Sequence, residues 1–330
     1  MIVENILLPE SKIAIVYPQV SIETEARNKE NSDNSHFHSK SEIGFLHKLA
    51  GAGIEVEECS ILSIVRNRCP SIARLDREEL ELWQELLYRD LAKISPNIII
   101  AVDELSLCTL MGKPLMIGKK GEIVATLSER LNGYVVPTSF GKVLSVSGIS
   151  NSDWAIPSWH PMMGWNLAKA KRNSLTQESL AKDFTLHVTN NMELLKEIFL
   201  EPEYISNPSS LLSFDIECAG MEITCISFAR DIHNAYVVPL HHLHPSELVY
   251  CLRNIGLILD SPVGKVGQNL NFDIFYLGYY YNMPVRNFKF DTMIAQHSLY
   301  SNLPKDLNTL GAIYTDEPSW KDDKGWKSED

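Results

Sequence analysis

The chain has 330 residues, 45% hydrophobic and 22% charged, with 30 Lys+Arg against 42 Asp+Glu for a net charge of -12. That length exceeds one ordinary core and favours two soluble domains. The acidic balance argues against a bulk electrostatic binder of nucleic acid, but not against an enzyme that grips nucleic acid in a local groove and holds metals with carboxylates.

No apolar run reaches the roughly 20 residues of a membrane span, and "MIVENILLPESK" lacks the basic-then-apolar layout of a signal peptide. The cysteines (Cys59, Cys69, Cys108, Cys218, Cys225 and Cys251) include no C-x-x-C pair. They are expected to be reduced, mostly buried thiols of a cytoplasmic protein.

In chain order, "KIAIVYP" (12–18) reads as a buried parallel strand, short and β-branched. "SEIGFLHKLAGAG" (41–53) reads as a helix with a Ser cap and a Gly-rich exit. "REELELWQELLYRDLAKIS" (77–95) places Leu80, Trp83, Leu87, Leu91 and Ile94 on one helical face, and Pro96 ends it. "NIIIAVD" (97–103) repeats the strand pattern, and "GYVVPT", "VLSVSG" and "WAIPSWHP" are further strand candidates. Basic residues cluster at Lys113, Lys119 and Lys120 and again at Lys169, Lys171 and Arg172, which reads first as solvated surface. "EPEYISNPSS" (201–210), with two prolines and three serines, is the linker candidate between domains at 1–200 and 211–330. Beyond it come the strands "LLSFDIE", "ITCISFAR" and "NAYVVPL", a helix over 245–260, the strand-like "GKVGQN" and further helices. The whole is an α/β pattern in two domains.

Asp215 and Glu217 stand two apart in the strand "LLSFDIE", so their side chains share a face. A buried strand has no use for paired acids unless that face is solvated or holds something cationic. The motif alone is weak: "LDREEL" offers the same spacing at Asp76 and Glu78, read as an exposed helix start. A second feature strengthens the first pair. "KVGQNLNFDIFYLGYY" (265–280) runs from a short strand through Gln268 and Asn269 into a helix beginning near Phe272. Asp273 falls in its first turn, where the dipole favours a carboxylate. In "FKFDTMIAQHSLY", Asp291 reads as the N-cap of the next helix by its residue type, and His297 reads as a helix-face residue packed near the core.

The ordered run FDIE, Q-N-L-x-F-D and F-D-T-M resembles the 3′–5′ proofreading exonuclease domain of family A DNA polymerases of phage type, a DEDD-superfamily domain with an RNase H-like mixed sheet. The resemblance covers about 205–320. It implies hydrolysis of 3′-terminal phosphodiesters of single-stranded DNA with two Mg²⁺ or Mn²⁺ ions, which hard oxygen ligands suit. It makes Asp215, Glu217 and Asp273 the metal-binding and catalytic carboxylates. Asn269 and Phe272 become substrate contacts and Asp291 a capping residue. The family's Tyr-x-x-x-Asp motif is not found before Asp330, so a ligand from outside this chain is expected to complete the site. The implied partner is the remainder of a DNA polymerase, in cis or as a separate subunit, in the host cytoplasm if phage-encoded.

The order of features over 12–185 is similar to that of the uracil-DNA glycosylase superfamily. The pieces are "KIAIVYP", "FLHKLAGAGI", "CSILSIVRNRCP" and "AIPSWHPMMG". That resemblance implies a parallel-sheet α/β domain, in which His160 of "SWHP" matches a uracil-contacting histidine. "VYPQVSIETE" lacks the glycines and acid of the family's water-positioning loop, and a polar stretch replaces the uracil-stacking one, so a catalytically degenerate domain is expected. Beside the exonuclease reading stand two others: a non-catalytic DNA-binding or docking subunit of a split polymerase, and a uracil-DNA glycosylase.

Overall fold

The computed structural model describes residues 4–31, 36–67, 69–72, 75–119, 122–124, 126–146, 159–176 and 184–319. By internal contacts the chain divides into two compact units, Met1–Ala181 with Asn308–Asp330, and Lys182–Leu307.

The first unit alternates strands and helices in the expected α/β manner. Its elements are β1 (Ile13–Tyr17), α1 (Ile22–Asn31), α2 (Lys40–Gly51), β2 (Ser60–Ser63), α3 (Arg77–Ile94), β3 (Ile98–Ala101), α4 (Glu104–Met111), α5 (Leu127–Arg130), β4 (Val135–Thr138), β5 (Gly141–Ser145) and α6 (Trp159–Asn173). The sheet runs β2-β1-β3-β5-β4, parallel except for the β4/β5 hairpin. Ile13, Ala14, Ile15, Val16 and Tyr17 are all buried, as a strand covered on both faces must be. Odd-numbered positions of β1 join the core shared with α2 and α6, and even-numbered ones join the core shared with α3 and α4. The helix expected over 41–53 carries a full capping box between Ser39 and Glu42.

Three expectations are corrected here. The stretch 154–161 was expected as a strand, but its described part, from Trp159, opens α6, where Pro161 sits in the first turn and its missing N–H costs little. The side chain of His160 lies outside the described residues. Lys169 is not on a solvated face: it is 2% exposed, and its ammonium donates to the carbonyls of Gly133 (3.0 Å), Thr315 (2.7 Å) and Ala312. Two of those acceptors close the helix over Leu307–Tyr314, where a cation suits the exposed carbonyls. The thiols are all free, but only Cys59, Cys108 and Cys251 are buried.

In the second unit the elements are β6 (Thr185–Val188), α7 (Met192–Phe199), α8 (Pro202–Ser206), β7 (Leu211–Ala219), β8 (Glu222–Ala229), β9 (Asn234–Pro239), α9 (Pro245–Leu259), β10 (Gly264–Gly267), α10 (Leu270–Tyr281), β11 (Phe288–Asp291) and α11 (Thr292–Leu299). The stretch 201–210 is thus partly helical, with Pro202 at the helix start, and the contact division falls earlier, after Ala181. The six-stranded sheet runs β11-β10-β7-β8-β9-β6. It is mixed: β7, β8 and β9 are antiparallel, while β10, β11 and β6 join parallel. Leu212, Phe214 and Ile216 of β7 point into a core shared with α7, α9 and α10, and Asp215 and Glu217 take the opposite, open face. Among the described residues no helix is long and apolar enough to cross a membrane.

Lys265 of β10 is fully buried, donating to the carbonyls of Ser261 (2.6 Å) and Val263 (2.9 Å) and to the Ser261 hydroxyl. Burial pulls its amine down to about 8 from 10.5, against the opposing pull of Asp260. Between those values the unfolded chain holds a proton that the folded chain has lost, so this group makes stability rise with pH. Replacing Lys265 by Met should flatten the slope of unfolding free energy between pH 8 and pH 10 by up to about 1.4 kcal/mol per pH unit. Urea titrations of both proteins across that window measure it, and equal slopes would refute the burial of the amine.

Candidate active site: three carboxylates at one end of the second sheet

Three local features place the acids. The first is β7 itself, whose alternation sends Asp215 and Glu217 to the open face, cross-strand from Ser227 and Cys225 of β8. The ladder shifts register between Glu217 and Cys218, a bulge of the kind that re-aims side chains at a sheet end. The second is the end of β10. It pairs with β7 only along Leu211–Ser213, which leaves the β7 backbone beyond that point without a strand neighbour on this side. Asp273 takes the vacant place: its Oδ1 accepts the Ile216 N–H at 3.0 Å, between the two acids in sequence.

The third feature is the turn that delivers Asp273. A Cβ on Gly267 would lie 2.6 Å from the Leu270 side chain and 3.1 Å from the Phe214 carbonyl, so the strand can leave the sheet this tightly only with glycine there. Asn269 then adopts a left-handed conformation (φ 55°) that asparagine tolerates. Asp291 locks the result. Its buried carboxylate accepts the N–H groups of Asn269 (3.1 Å) and Leu270 (2.8 Å) at the start of α10. It also accepts those of Met293 (2.8 Å) and Ile294 (3.3 Å) at the start of α11. One anion therefore caps two helices, a structural role and not a ligand's.

Asp273 is 3% exposed, whereas Asp215 and Glu217 are exposed. Burial, and then the charges of Asp215 and Asp291, push the Asp273 carboxyl up to about 6, although the Ile216 N–H works against the rise. Desolvation against the sheet, and then Glu217, raise Asp215. The acids thus crowd one another, and among the described residues no ion pair relieves them. Asn269 is exposed beside Asp273, and Phe272, 49% exposed, stands in the preceding position. His297 is exposed on α11, not packed near the core: the face that α11 buries is that of Gln296. Cys225 lies opposite Glu217 on the open face, a neighbour that only strand register reveals.

The donors are all hard carboxylate oxygens, and their mutual repulsion is what a divalent cation relieves, so in kind they fit Mg²⁺ or Mn²⁺. Among the described residues no three such side chains converge as a metal-holding group. Asp273 in particular spends one oxygen on the backbone.

Residues 186–322 match the family model described as 3′–5′ exonuclease.

The match lies over the second unit, whose mixed sheet and ordered acids it accords with. Solved structures similar to the chain include the catalytic core of RRP6 from Trypanosoma brucei, at 16% identity and a TM-score of 0.34, covering 44% of this chain and 38% of that one. The EXD2 exonuclease domain soaked in Mn and GMP is 19% identical with a TM-score of 0.27, covering 44% and 77% respectively. RNase D of Trypanosoma brucei in complex with RNA U12 is 16% identical with a TM-score of 0.26, covering 34% and 38%. The chain thus spans well under half of the RRP6 core. No curated protein matches it.

In metal-free protein the Asp273 carboxyl should titrate near 6, and Asp215→Asn should lower that value by removing a neighbouring negative charge. Carbon-detected NMR of the aspartate carboxyls follows both; an unchanged midpoint in the variant would show that the two acids do not interact.

Proposed function

We propose that the exonuclease domain hydrolyses 3′-terminal phosphodiester bonds of single-stranded DNA, as the proofreading module of a phage-like family A DNA polymerase. The observation that carries this reading is the placement of Asp273, fixed by the Ile216 N–H beside the strand that presents Asp215 and Glu217. The polymerase context rests on the resemblance of FDIE, GQNLNFD and FDTM to that family, with the remainder of the polymerase as partner in cis or as a separate subunit.

In this reading Asp215, Glu217 and Asp273 hold Mg²⁺ or Mn²⁺. Held there, such a cation would supply charge stabilisation at the reacting oxygens and a water of lowered pKa. The chain's own residues do the rest. Asp273 is held rigid by β7, while Asp215 and Glu217 stand open to the substrate side. The Phe272 ring, exposed next to Asp273, offers a face on which the terminal base stacks, and the Asn269 amide is placed to contact the same nucleotide. The metal-free carboxylates are crowded, so the cation and the ionised form of Asp273 favour each other.

A second reading has its own observation. Among the described residues the acids form no metal-holding group, which suits a non-catalytic docking or DNA-binding subunit of a split polymerase. Uracil excision by the first unit, the role suggested by the glycosylase resemblance around His160, would appear as abasic sites in uracil-containing single strands.

With Mg²⁺ or Mn²⁺, the protein should shorten single-stranded oligonucleotides from the 3′ end. Asp215→Ala combined with Glu217→Ala should cut that rate at least ~100-fold, by loss of electrostatic stabilisation. Full activity in the purified double variant would refute the assigned roles. No cleavage by the unaltered protein in high Mn²⁺, together with co-purification of a polymerase polypeptide, would favour the docking subunit.

A further inference from the structure

Helix α10 carries more exposed aromatic surface than its packing explains. Phe275 is 63% exposed, Tyr279 71% and Tyr280 44%. The rings touch in series, although Tyr276 is itself buried in the core and only the others reach solvent: Phe275 stacks on Tyr279 at 5.4 Å with an interplanar angle of 11°. Tyr279 meets Tyr280 at 4.9 Å, Tyr280 meets Tyr276 at 4.7 Å, and Tyr276 meets Phe272 at 5.6 Å. At 3.6 residues per turn, Phe275, Tyr279 and Phe272 fall within an arc of about 60°, and Tyr276 and Tyr280 extend it toward the side that bears Asp273. The aliphatic residues of the helix turn to the core instead, Leu270 and Leu277 fully and Ile274 in part.

Aromatic pairs four apart stabilise a helix a little, but that gain does not require five rings or leave four of them in water. We infer that the exposed face of α10 is a stacking track for unpaired nucleic acid, which carries the strand away from the carboxylates. This rests on the exonuclease reading and deepens it: the ligand is a single strand several nucleotides long, gripped without regard to base sequence.

Three observations select this occupant over a protein helix. The exposed rings share the helix of the site, with Phe272 beside Asp273 on the same exposed arc as Phe275 and Tyr279. Its exposed face is ring rather than aliphatic, and every base has a face to stack on a ring. The hydroxyls of Tyr279 and Tyr280 have no partner among the described residues, so they are neutral donors available to phosphate oxygens. That last point answers the electrostatic objection, since a chain of net charge -12 must hold a polyanion by stacking and neutral donors more than by lysines.

The test uses the full chain and 5′-fluorescein-labelled oligo(dT) of three, six and twelve nucleotides, with anisotropy read in EDTA so that no hydrolysis intrudes. Affinity should climb with length in the unaltered protein. Phe275→Ala combined with Tyr279→Ala should weaken binding of the twelve-mer by about 5- to 100-fold and flatten the dependence on length. Phe275→Trp, which keeps a stacking face and leaves the Tyr279 hydroxyl in place, should keep most of the affinity, and circular dichroism should be equal in all three proteins. A double-alanine protein that binds every length normally would overturn the track, as would an unaltered protein whose affinity ignores length. Hydrolysis with Mg²⁺ is followed separately with Asp215→Ala: its absence from the unaltered protein defeats the nuclease reading, while the anisotropy still decides the track.

Discussion

The hydrogen bond from the Ile216 N–H to the Asp273 carboxylate joins what sequence separates. Strand β10 stops short of the bulged end of β7, and the backbone donor left there needs an acceptor or pays for its desolvation. A side chain from the next helix supplies it. The same bond that completes the sheet therefore sets the distance between the third acid and the first two. Structural satisfaction and site assembly are one event.

That bond depends in turn on how α10 begins. Gly267 lets the strand leave the sheet against the Phe214 carbonyl, Asn269 turns the backbone into the left-handed region, and Asp291 collects the N–H groups freed at two helix starts. The hierarchy has an electrostatic cost. Asp291 is a fully employed anion close to Asp273, and with Asp215 it contributes to the high carboxyl pKa there. The acid that positions the site also charges it.

Much of this was legible in the residues. The alternation of β7 put Asp215 and Glu217 on one face, and the first-turn position of Asp273 and the capping position of Asp291 followed from helix chemistry. In the first unit the β-branched runs at 13–17 and 98–101 read correctly as strands buried on both sides. What escaped notice was set by partners far along the chain. Strand β6 is short and mostly exposed, and exists through its parallel pairing with β9. Lys169 reads as one of a solvated trio, because two of the three carbonyls that hold it lie more than a hundred residues on. His297 looked like a core residue because its helix has apolar neighbours, yet those neighbours are themselves exposed.

The connectivity of the second sheet bears on the order in which it can be built. Strands β7 and β8 are joined by a tight hairpin through Gly220, so their pairing closes early and at small entropic expense. The partnership of β10 with β7 spans the intervening β8, β9 and α9, and parallel contacts of that separation form slowly. Asp215 and Glu217 thus lie side by side once β7 forms, while Asp273 reaches them only when β10 and the helix after it dock. Refolding should restore strand content before it restores function, which makes recovery of the site a late marker of folding and a sensitive one.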